Sequence, residues 1–170
     1  MSSSIEFGDA GGAESGQHYE VAESITVAAD PQRVYEAVAD VRRMARWSPE
    51  CFAVWIYRRR GGAPSRFVGF NRRTPFVWFT TCVVRVAKPG REFAFDVSTF
   101  GMPVARWAYR FAATGDGGTE VTELWRDRRV AGSTLLGLLF TGPRTTRKRP
   151  EVNRDGMRTT LLRLKAELES

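Results

Sequence analysis

The stretch FVWFTTCVVRVAKPGREFAFDVST, residues 76–99, decides the fold class. Two runs rich in β-branched and aromatic residues, 76–87 and 91–99, flank the turn residues Lys88-Pro89-Gly90. Such runs favour β-strands, and a short turn between them joins the strands as an antiparallel hairpin. Hairpin-linked strands do not form a parallel sheet, so this stretch predicts an antiparallel sheet and argues against doubly wound folds.

The same pattern continues on both sides of this hairpin. Further strands are predicted at about 18–28, 52–56, 65–73, 103–114 and 119–129, which gives seven in all. The turns between them contain Gly61-Gly62-Ala63-Pro64, Thr74-Pro75 and Gly101-Met102-Pro103. Regular spacing of strands and turns therefore predicts one sheet built almost wholly from neighbouring strands.

Three helices complete the predicted order. Asp30-Pro31 has the residues of a helix start, and a second short helix follows at about 42–47. The last helix, roughly 151–169, carries one apolar stripe made of Met157, Leu161, Leu164 and Leu168. Such a helix must bury its stripe against a strongly curved sheet, and the space enclosed between them is a common place for a ligand.

One residue in the last predicted strand breaks the apolar pattern. Alternation places Glu123 on the same face as Val121 and Trp125, which is the face expected to be buried. A buried carboxylate is costly unless it is paired, hydrogen-bonded or neutralised. Three alternatives remain open. Glu123 pairs with an arginine or bonds Asn71, Tyr109 or a tryptophan N–H; it lines a wet pocket and contacts a ligand; or it reaches solvent at a strand end.

Length and composition indicate one domain. The chain of 170 residues, 42% of them hydrophobic, is long enough for a sizeable core. Residues 1–17 are polar and Gly/Ser-rich and are predicted to be a disordered tail, with residues 18–170 forming the single domain. The tail lacks the basic and apolar parts of a signal peptide. The most apolar run, residues 135–140, is too short to span a bilayer, so no integral membrane segment is expected.

The net charge of +7 comes almost wholly from arginine. A basic chain fits a solvated face, a nucleic acid or an anionic membrane surface. Residues 144–149 hold the densest basic run, and contact with an anionic headgroup or an acyl-carrier partner is its functional alternative. Nucleic-acid binding is disfavoured, because the aromatic residues fall on the presumed inner face of the sheet. Cys51 and Cys82 cannot form a disulfide framework, which favours a reduced, cytoplasmic setting.

Several stretches carry a family resemblance. They are RWSPE at 46–50, FVGFNRR at 67–73, WFTTCVV at 78–84, KPGREFAFDV at 88–97, ARWAYRF at 105–111, GGTEVTELW at 117–125, and NRDGM followed by TLLRLKAELE within 153–169. Through them the chain resembles the START-like (Bet v 1-like, SRPBCC) superfamily over about residues 19–169. More narrowly, it is similar to actinobacterial proteins of the polyketide cyclase/dehydrase or lipid-transport type.

The resemblance implies an α+β helix-grip fold. In that fold a seven-stranded curved antiparallel sheet wraps around the long C-terminal helix, and two short helices lie between strands 1 and 2. A hydrophobic cavity lies between sheet and helix. The family includes cyclases and lipid carriers, so the resemblance is specific for the fold and not for one activity.

The residues offer no conventional catalytic set. The one histidine, His18, lies at the edge of the tail, and no metal, nucleotide or nucleophile motif occurs in a suitable context, so neither metal nor cofactor is expected. Residues on the presumed inner face are predicted to contact a ligand: Asn71, Trp78, Thr80, Phe95, Trp107, Tyr109, Glu123, Trp125, Met157 and Leu161. Among them Glu123, Tyr109 and Asn71 are the candidates for catalysis.

Two functions follow from this set. The first is a carrier or sensor that binds a hydrophobic small molecule, such as a lipid or a polyketide-like aromatic compound. The alternative is an aromatase/cyclase-like enzyme that uses Tyr109 and Glu123 for aldol cyclisation and dehydration. Residues 130–142 are predicted to be either a lid over the cavity or an ordinary apolar helix. The sequence leaves open whether the chain is a monomer or a homodimer.

Overall fold

The computed structural model describes residues 18–129 and 149–170. Its strands are β1 (Val21–Val27), β2 (Cys51–Arg60), β3 (Ala63–Arg73), β4 (Phe76–Lys88), β5 (Glu92–Thr99), β6 (Met102–Ala113) and β7 (Thr119–Asp127). Its helices are α1 (Pro31–Ala39), α2 (Met44–Trp47), which follows a single 3-10 turn at Val41–Arg43, and α3 (Arg149–Leu168). The predictions for residues 1–17, 130–142 and 144–148 lie outside the described residues.

All seven strands form one antiparallel sheet in the order β1-β7-β6-β5-β4-β3-β2. Each strand from β2 to β7 pairs with the next along the chain, and β1 then adds beside β7. This order, with two short helices between β1 and β2 and one long C-terminal helix, confirms the predicted α+β helix-grip fold.

The β2–β3 turn is tighter than the sequence suggests. Only Gly61 and Gly62 lie outside the strands, and both have positive φ, 55° and 80°. Positive φ at both central residues is what a two-residue type I′ hairpin requires, and glycine adopts it without strain. Ala63 and Pro64 therefore belong to β3, which begins two residues before the predicted start.

The inner face of the sheet packs against α3. Met157, Leu161, Leu164 and Leu168 are all buried, as their helical spacing predicts. The helix begins at Arg149 with Pro150 in its first turn, a position where the missing N–H of proline costs no helix bond. It contacts β1, β7 and α2. Among the residues that the structure describes, no helix has the length and apolar character to cross a membrane.

Helix α1 covers the β5–β6 part of the inner face. The Asp30 side chain accepts a hydrogen bond from the Arg33 amide at 3.0 Å, which confirms the predicted cap. Tyr35 packs edge-on against Phe93 and Phe111, with ring centroids 6.3 and 6.0 Å away. This contact closes the core over β5 and β6, next to the strands β1 and β7 that α3 contacts.

The edge strand β2 departs from simple alternation. Phe52, Val54 and Ile56 are predicted on one face, but only Val54 and Ile56 pack against the core, whereas Phe52 is exposed. The pairing register shifts between Cys51 and Ala53, and such a bulge turns the side chain between them to the other face. The local sequence contains no signal for this shift.

Candidate functional site

A row of inward side chains crosses four strands at one level. The pairing register places Glu23 of β1 opposite Glu123 of β7, Glu123 opposite Tyr109 of β6, and Tyr109 opposite Phe93 of β5. Directly paired residues of an antiparallel sheet share a face, so these four side chains point towards the same side. The row therefore brings two carboxylates and a phenol into an otherwise apolar core.

Neighbouring rows supply aromatic and small side chains. Trp125, Trp107 and Phe95 form the next row along β7, β6 and β5. On β3 and β4, Asn71 pairs with Trp78 and Gly69 pairs with Thr80. The parity read from the sequence thus predicted correctly which side chains share the inner face of the sheet.

These rows and α3 enclose a cavity of about 670 Å³. Nine of the ten predicted ligand-contact residues line it: Asn71, Trp78, Thr80, Phe95, Trp107, Tyr109, Glu123, Trp125 and Met157. The tenth, Leu161, is fully buried in the core. The volume is within the usual range for a small-molecule pocket, and the wall combines apolar rings with a few polar groups.

Glu123 and Tyr109 form the polar centre of this wall. The Tyr109 hydroxyl donates to Glu123 Oε1 at 2.6 Å, and both residues are buried. Burial raises the pKa of Glu123 from its ordinary value of 4.5 to about 8, although the Tyr109 hydrogen bond lowers it; the nearby Glu23 raises it further. Burial, and then the charge of Glu123, also hold the pKa of Tyr109 well above its usual 10. At pH 7 both groups are therefore mostly protonated.

The second oxygen of Glu123 is the unusual feature. Oε2 is buried and has no hydrogen-bond partner among the residues that the structure describes. Because Oε1 already accepts from Tyr109, the proton of the neutral carboxyl is best placed on Oε2. Glu123, a residue of the cavity lining, then carries a buried O–H donor that has no acceptor among the described residues.

Glu23 shows the opposite way to bury a carboxylate. Its two oxygens accept hydrogen bonds from Arg154 and Arg158 of α3, each at 2.9 Å. The two arginines lie four residues apart and so share one helix face. Glu23 is thus balanced by charge, whereas Glu123, its neighbour across the strand pair, is balanced by protonation. Alternation along β1 puts Glu23 on the same face as Val21 and Ile25, but the sequence does not show which residues of α3 lie opposite it.

The polar pair Asn71 and Thr80 lies elsewhere on the wall. The Asn71 side-chain amide donates to the Gly69 carbonyl at 3.2 Å and to Thr80 Oγ1 at 3.3 Å. Within the described chain it bonds neither Tyr109 nor Glu123. The structure therefore brings two of the three catalytic candidates together and leaves Asn71 in a separate polar group.

Asn153 is a site residue that the sequence reasoning missed. It lies on α3, is buried, lines the cavity, and its Nδ2 has no hydrogen-bond partner within the described residues. Asn153 precedes Met157 by four residues and so extends the same helix face. That spacing was the available signal, but the predicted stripe counted apolar residues only.

The other reactive side chains give no support for thiol or histidine chemistry. Burial raises the pKa of Cys51 to about 11 and of Cys82 to about 12, so both thiols stay neutral. His18 lies before β1 and is exposed. In the part of the chain that the structure describes, no group of three or more His, Cys, Asp or Glu residues could hold a metal ion.

A charged cluster borders the cavity where β2, β3 and α3 meet. Arg73 of β3 forms an ion pair with Glu50, and Arg149 donates to the other oxygen of Glu50 at 3.1 Å. These side chains are partly exposed, unlike Glu123 and Tyr109. The cavity therefore has a buried wall with a neutral carboxyl and a more accessible border with fixed charges.

The family of the chain follows from its sequence as well as its fold. The family model described as polyketide cyclase/dehydrase and lipid transport matches residues 18–169. The chain belongs to this family. The match covers nearly all of the described residues and confirms the resemblance seen in the sequence.

Solved structures of the same superfamily are similar to the chain. A polyketide-cyclase-like protein of Corynebacterium glutamicum is 26% identical with a TM-score of 0.55, covering 88% of this chain and 90% of its own. The Zhui aromatase/cyclase of Streptomyces sp. R1128 is 19% identical with a TM-score of 0.66, covering 88% and 92%. A START superfamily protein of Mycobacterium smegmatis is 15% identical with a TM-score of 0.63, covering 88% and 96%. No curated protein matches the chain.

Proposed function

We propose that the protein binds a hydrophobic small molecule, a lipid or a polyketide-like aromatic compound, in the cavity between its sheet and α3, as a carrier or sensor. The observation that carries the proposal is the cavity of about 670 Å³, whose lining residues include Glu123 and Asn153. Each of them has a buried polar atom, Oε2 and Nδ2 respectively, with no partner among the residues that the structure describes. Buried polar atoms without partners are rare in folded proteins, and oxygen acceptors on a bound ligand would satisfy donors of this kind.

The chemistry of the wall favours a neutral acceptor on the ligand. Neutral Glu123 can donate a hydrogen bond to a carbonyl or hydroxyl oxygen, and the Asn153 amide is also a hydrogen-bond donor. A ligand carboxylate beside Glu123 would lose its hydration in an apolar setting where the arginines Arg154 and Arg158 are already paired with Glu23, which is costly. We therefore expect ketones, esters, alcohols or phenols to bind better at this position than free acids.

Titration with two probes tests the proposal. Anthrone, a tricyclic ketone, and cis-parinaric acid methyl ester, a fluorescent lipid, represent the two ligand classes. Ala105 lines the cavity, so Ala105→Phe should fill part of it and weaken binding at least ~tenfold. Ala112→Phe makes the same change on the exposed face of β6 and should bind like wild type.

Three results are possible. Saturable binding of one molecule per chain that Ala105→Phe weakens supports the cavity as the site. Failure of both probes to bind contradicts the proposal. Binding that Ala105→Phe leaves unchanged also contradicts it, because the probe would then occupy another surface.

A second candidate function is aldol cyclisation, favoured by the direct Tyr109–Glu123 bond and the raised pKa of Glu123. In this reaction ionised Glu123 would take the proton from a carbon between two ketone groups. The carbanion would form a C–C bond to another carbonyl carbon, and neutral Glu123 would return the proton to the resulting alkoxide. The new C–C bond closes the ring, and loss of the hydroxyl group with a neighbouring hydrogen as water would then introduce a C=C double bond.

The rate of product formation from a linear poly-β-ketone thioester separates the two functions. If the protein is a cyclase, the turnover rate should rise with pH and level off above the Glu123 pKa of about 8, because the base must be ionised. Glu123→Gln should then abolish turnover while keeping the Tyr109 hydrogen bond. Turnover that survives in Glu123→Gln would exclude the proposed role, and binding without turnover would leave the carrier or sensor.

A further inference from the structure

The outer face of β2, β3 and β4 exposes a group of apolar and aromatic side chains. We call this the aromatic face and define it by Phe52, Trp55, Tyr57, Phe70, Val77 and Phe79. Trp55 is 61% exposed and Val77 is 64% exposed. Neither points into the cavity on the other side of the sheet.

The side chains of the aromatic face are neighbours. The register pairs Phe70 with Phe79, and the Phe52 ring lies 6.4 Å from the Phe70 ring. Trp55 and Tyr57 lie 5.8 Å apart. Single exposed apolar residues need no explanation, but a connected group of this kind marks an interaction surface.

The same three strands hold an unusual share of the positive charge. Residues 51–88 contain eight arginines or lysines and no aspartate or glutamate: Arg58, Arg59, Arg60, Arg66, Arg72, Arg73, Arg85 and Lys88. The net charge of the whole chain is +7. The charge imbalance of the molecule is therefore concentrated in the strands that carry the aromatic face.

Several of these cations have no anion to balance them. Arg73 and Arg85 form ion pairs with carboxylates outside this segment. Arg58 and Arg66 are paired across β2 and β3 on the outer face, a like-charge contact, and Arg72 lies over the Phe52 ring at 5.5 Å. Among the residues that the structure describes, no carboxylate comes within ion-pair distance of Arg58, Arg66 or Arg72.

We propose that the aromatic face docks on an anionic lipid bilayer. Aromatic side chains have a favourable free energy of transfer from water to the region of the lipid headgroups, and the surrounding arginines are attracted by anionic headgroups. Both features occur together on this face, and Phe76, next to Val77 at the start of β4, adds one more exposed side chain at the tip of a hairpin.

Two other occupants fit the observations less well. A single-stranded nucleic acid would use the rings for stacking, but the most exposed side chain of the face, Val77, is aliphatic and gives no stacking surface. A second copy of the chain would bring Arg58 and Arg66 of both copies towards one another, and the chain already carries a net charge of +7. Charge complementarity therefore selects an anionic surface.

This inference does not depend on the cavity having a ligand. The aromatic face is on the outer side of the strands, so vesicle binding can be measured on the protein alone. The full chain is sedimented with vesicles of phosphatidylcholine alone and of phosphatidylcholine with added phosphatidylglycerol. We expect binding only to the anionic vesicles, weakening as salt is added.

Matched variants locate the surface. Removing two charges with Arg58→Gln and Arg66→Gln should weaken partitioning about thirtyfold. The control Arg91→Gln with Arg126→Gln changes the net charge equally at exposed positions outside β2–β4 and should have a much smaller effect. Trp55→Ser with Phe79→Ser should also weaken binding, whereas Leu162→Ser, an exposed apolar position on α3, should not.

Hydrogen–deuterium exchange on the wild-type chain gives a readout that needs no variant. Vesicles should protect residues 52–57 and 76–79 and leave α3 unchanged. The proposal is overturned if anionic vesicles do not bind, or if both charge variants lose binding equally. It is also overturned if an oligonucleotide displaces the vesicles from this face, or if the wild type is a dimer that the Trp55/Phe79 variant dissociates.

Discussion

Glu23 and Glu123 are neighbouring inward carboxyl groups, and their negative charge is avoided or balanced in different ways. Arg154 and Arg158 neutralise Glu23, whereas Glu123 has only the Tyr109 hydroxyl as a partner within residues 18–129 and 149–170. A hydrogen bond to one oxygen cannot offset the loss of hydration of a full negative charge, so the proton stays on Glu123. This difference makes Glu123 a potential donor to a ligand and leaves Glu23 with a structural role.

The raised pKa of Glu123 makes folding stability depend on pH. The folded chain keeps this proton up to about pH 8, whereas the unfolded chain releases it near 4.5. Between these values folding takes up a proton, so the free energy of unfolding falls as pH rises through this window and levels off above it. Because Glu123 is buried, solvent screening does not reduce this effect. The free energy of unfolding should fall by at most ~3–5 kcal/mol across the window.

Glu123→Gln should remove this slope, because glutamine has no proton to lose. Urea unfolding from about pH 5 to 9 measures it, and the variant should be more stable than wild type at the alkaline end. Glu120→Gln changes an exposed carboxyl on the same strand and serves as the control. The same slope in wild type and Glu123→Gln would mean that Glu123 is already ionised in the folded chain.

At the scale of single residues the sequence predicted the anomaly but not its resolution. Glu123 broke the pattern of its strand, and Tyr109 was among its expected partners. Whether it met an arginine depended on the register of β1 with β7 and on the rotation of α3, and both are set by packing across the whole domain. The same dependence hid Asn153, whose side chain is polar but lies on the apolar face of α3.

The long helix α3 is fixed to β1 by ion pairs between the buried Glu23 carboxylate and two partly exposed arginines. Replacing both Arg154 and Arg158 with methionine should lower the free energy of unfolding by ~2–4 kcal/mol, because Glu23 would be left buried without a counter-charge. Adding Glu23→Met should recover most of that loss. Chemical denaturation of the double and triple variants measures both steps, and equal stability of the double variant and wild type would contradict this role.

Gly156 lowers the stability of α3, because glycine has a low helix propensity, and replacing it with alanine should stabilise the helix. A Cβ there would lie 3.7 Å from Pro49 Cγ, an ordinary contact, so Gly156→Ala should raise stability by ~0.5–1 kcal/mol through helix propensity. Gly69→Ala is the contrasting change, because its Cβ would come within 3.2 Å of Thr80 Oγ1. Denaturation midpoints compare the two, and a loss of stability in Gly156→Ala would show that α3 cannot accommodate the methyl group.

At the scale of elements, the sequence predicted the order of strands and helices and most boundaries within two residues. Hairpin turns and helix caps depend on a few neighbouring residues, and their positions were predicted correctly. The bulge in β2 and the aromatic face were missed for a common reason. In runs such as Phe76–Val84 both strand faces carry apolar residues, so alternation alone cannot show which aromatic side chains are exposed.

The whole molecule is a sheet with two different faces. One face, with α3, encloses the cavity and the Tyr109–Glu123 pair, and the other carries the aromatic face with Arg58, Arg66 and Arg72. The hairpin order and the family resemblance predicted the fold. They could not predict the cavity volume or its unsatisfied atoms, because both depend on distances between elements far apart in the chain.

Native mass spectrometry of the protein purified from its own host tests most directly whether the cavity binds a hydrophobic small molecule. We expect one bound molecule per chain, with a neutral oxygen acceptor, which dissociates on activation in the gas phase. Ala105→Phe should lose this added mass, and Ala112→Phe should keep it. A wild-type mass equal to that of the bare chain, together with a crystal structure whose cavity is filled by the protein's own side chains, would contradict ligand binding.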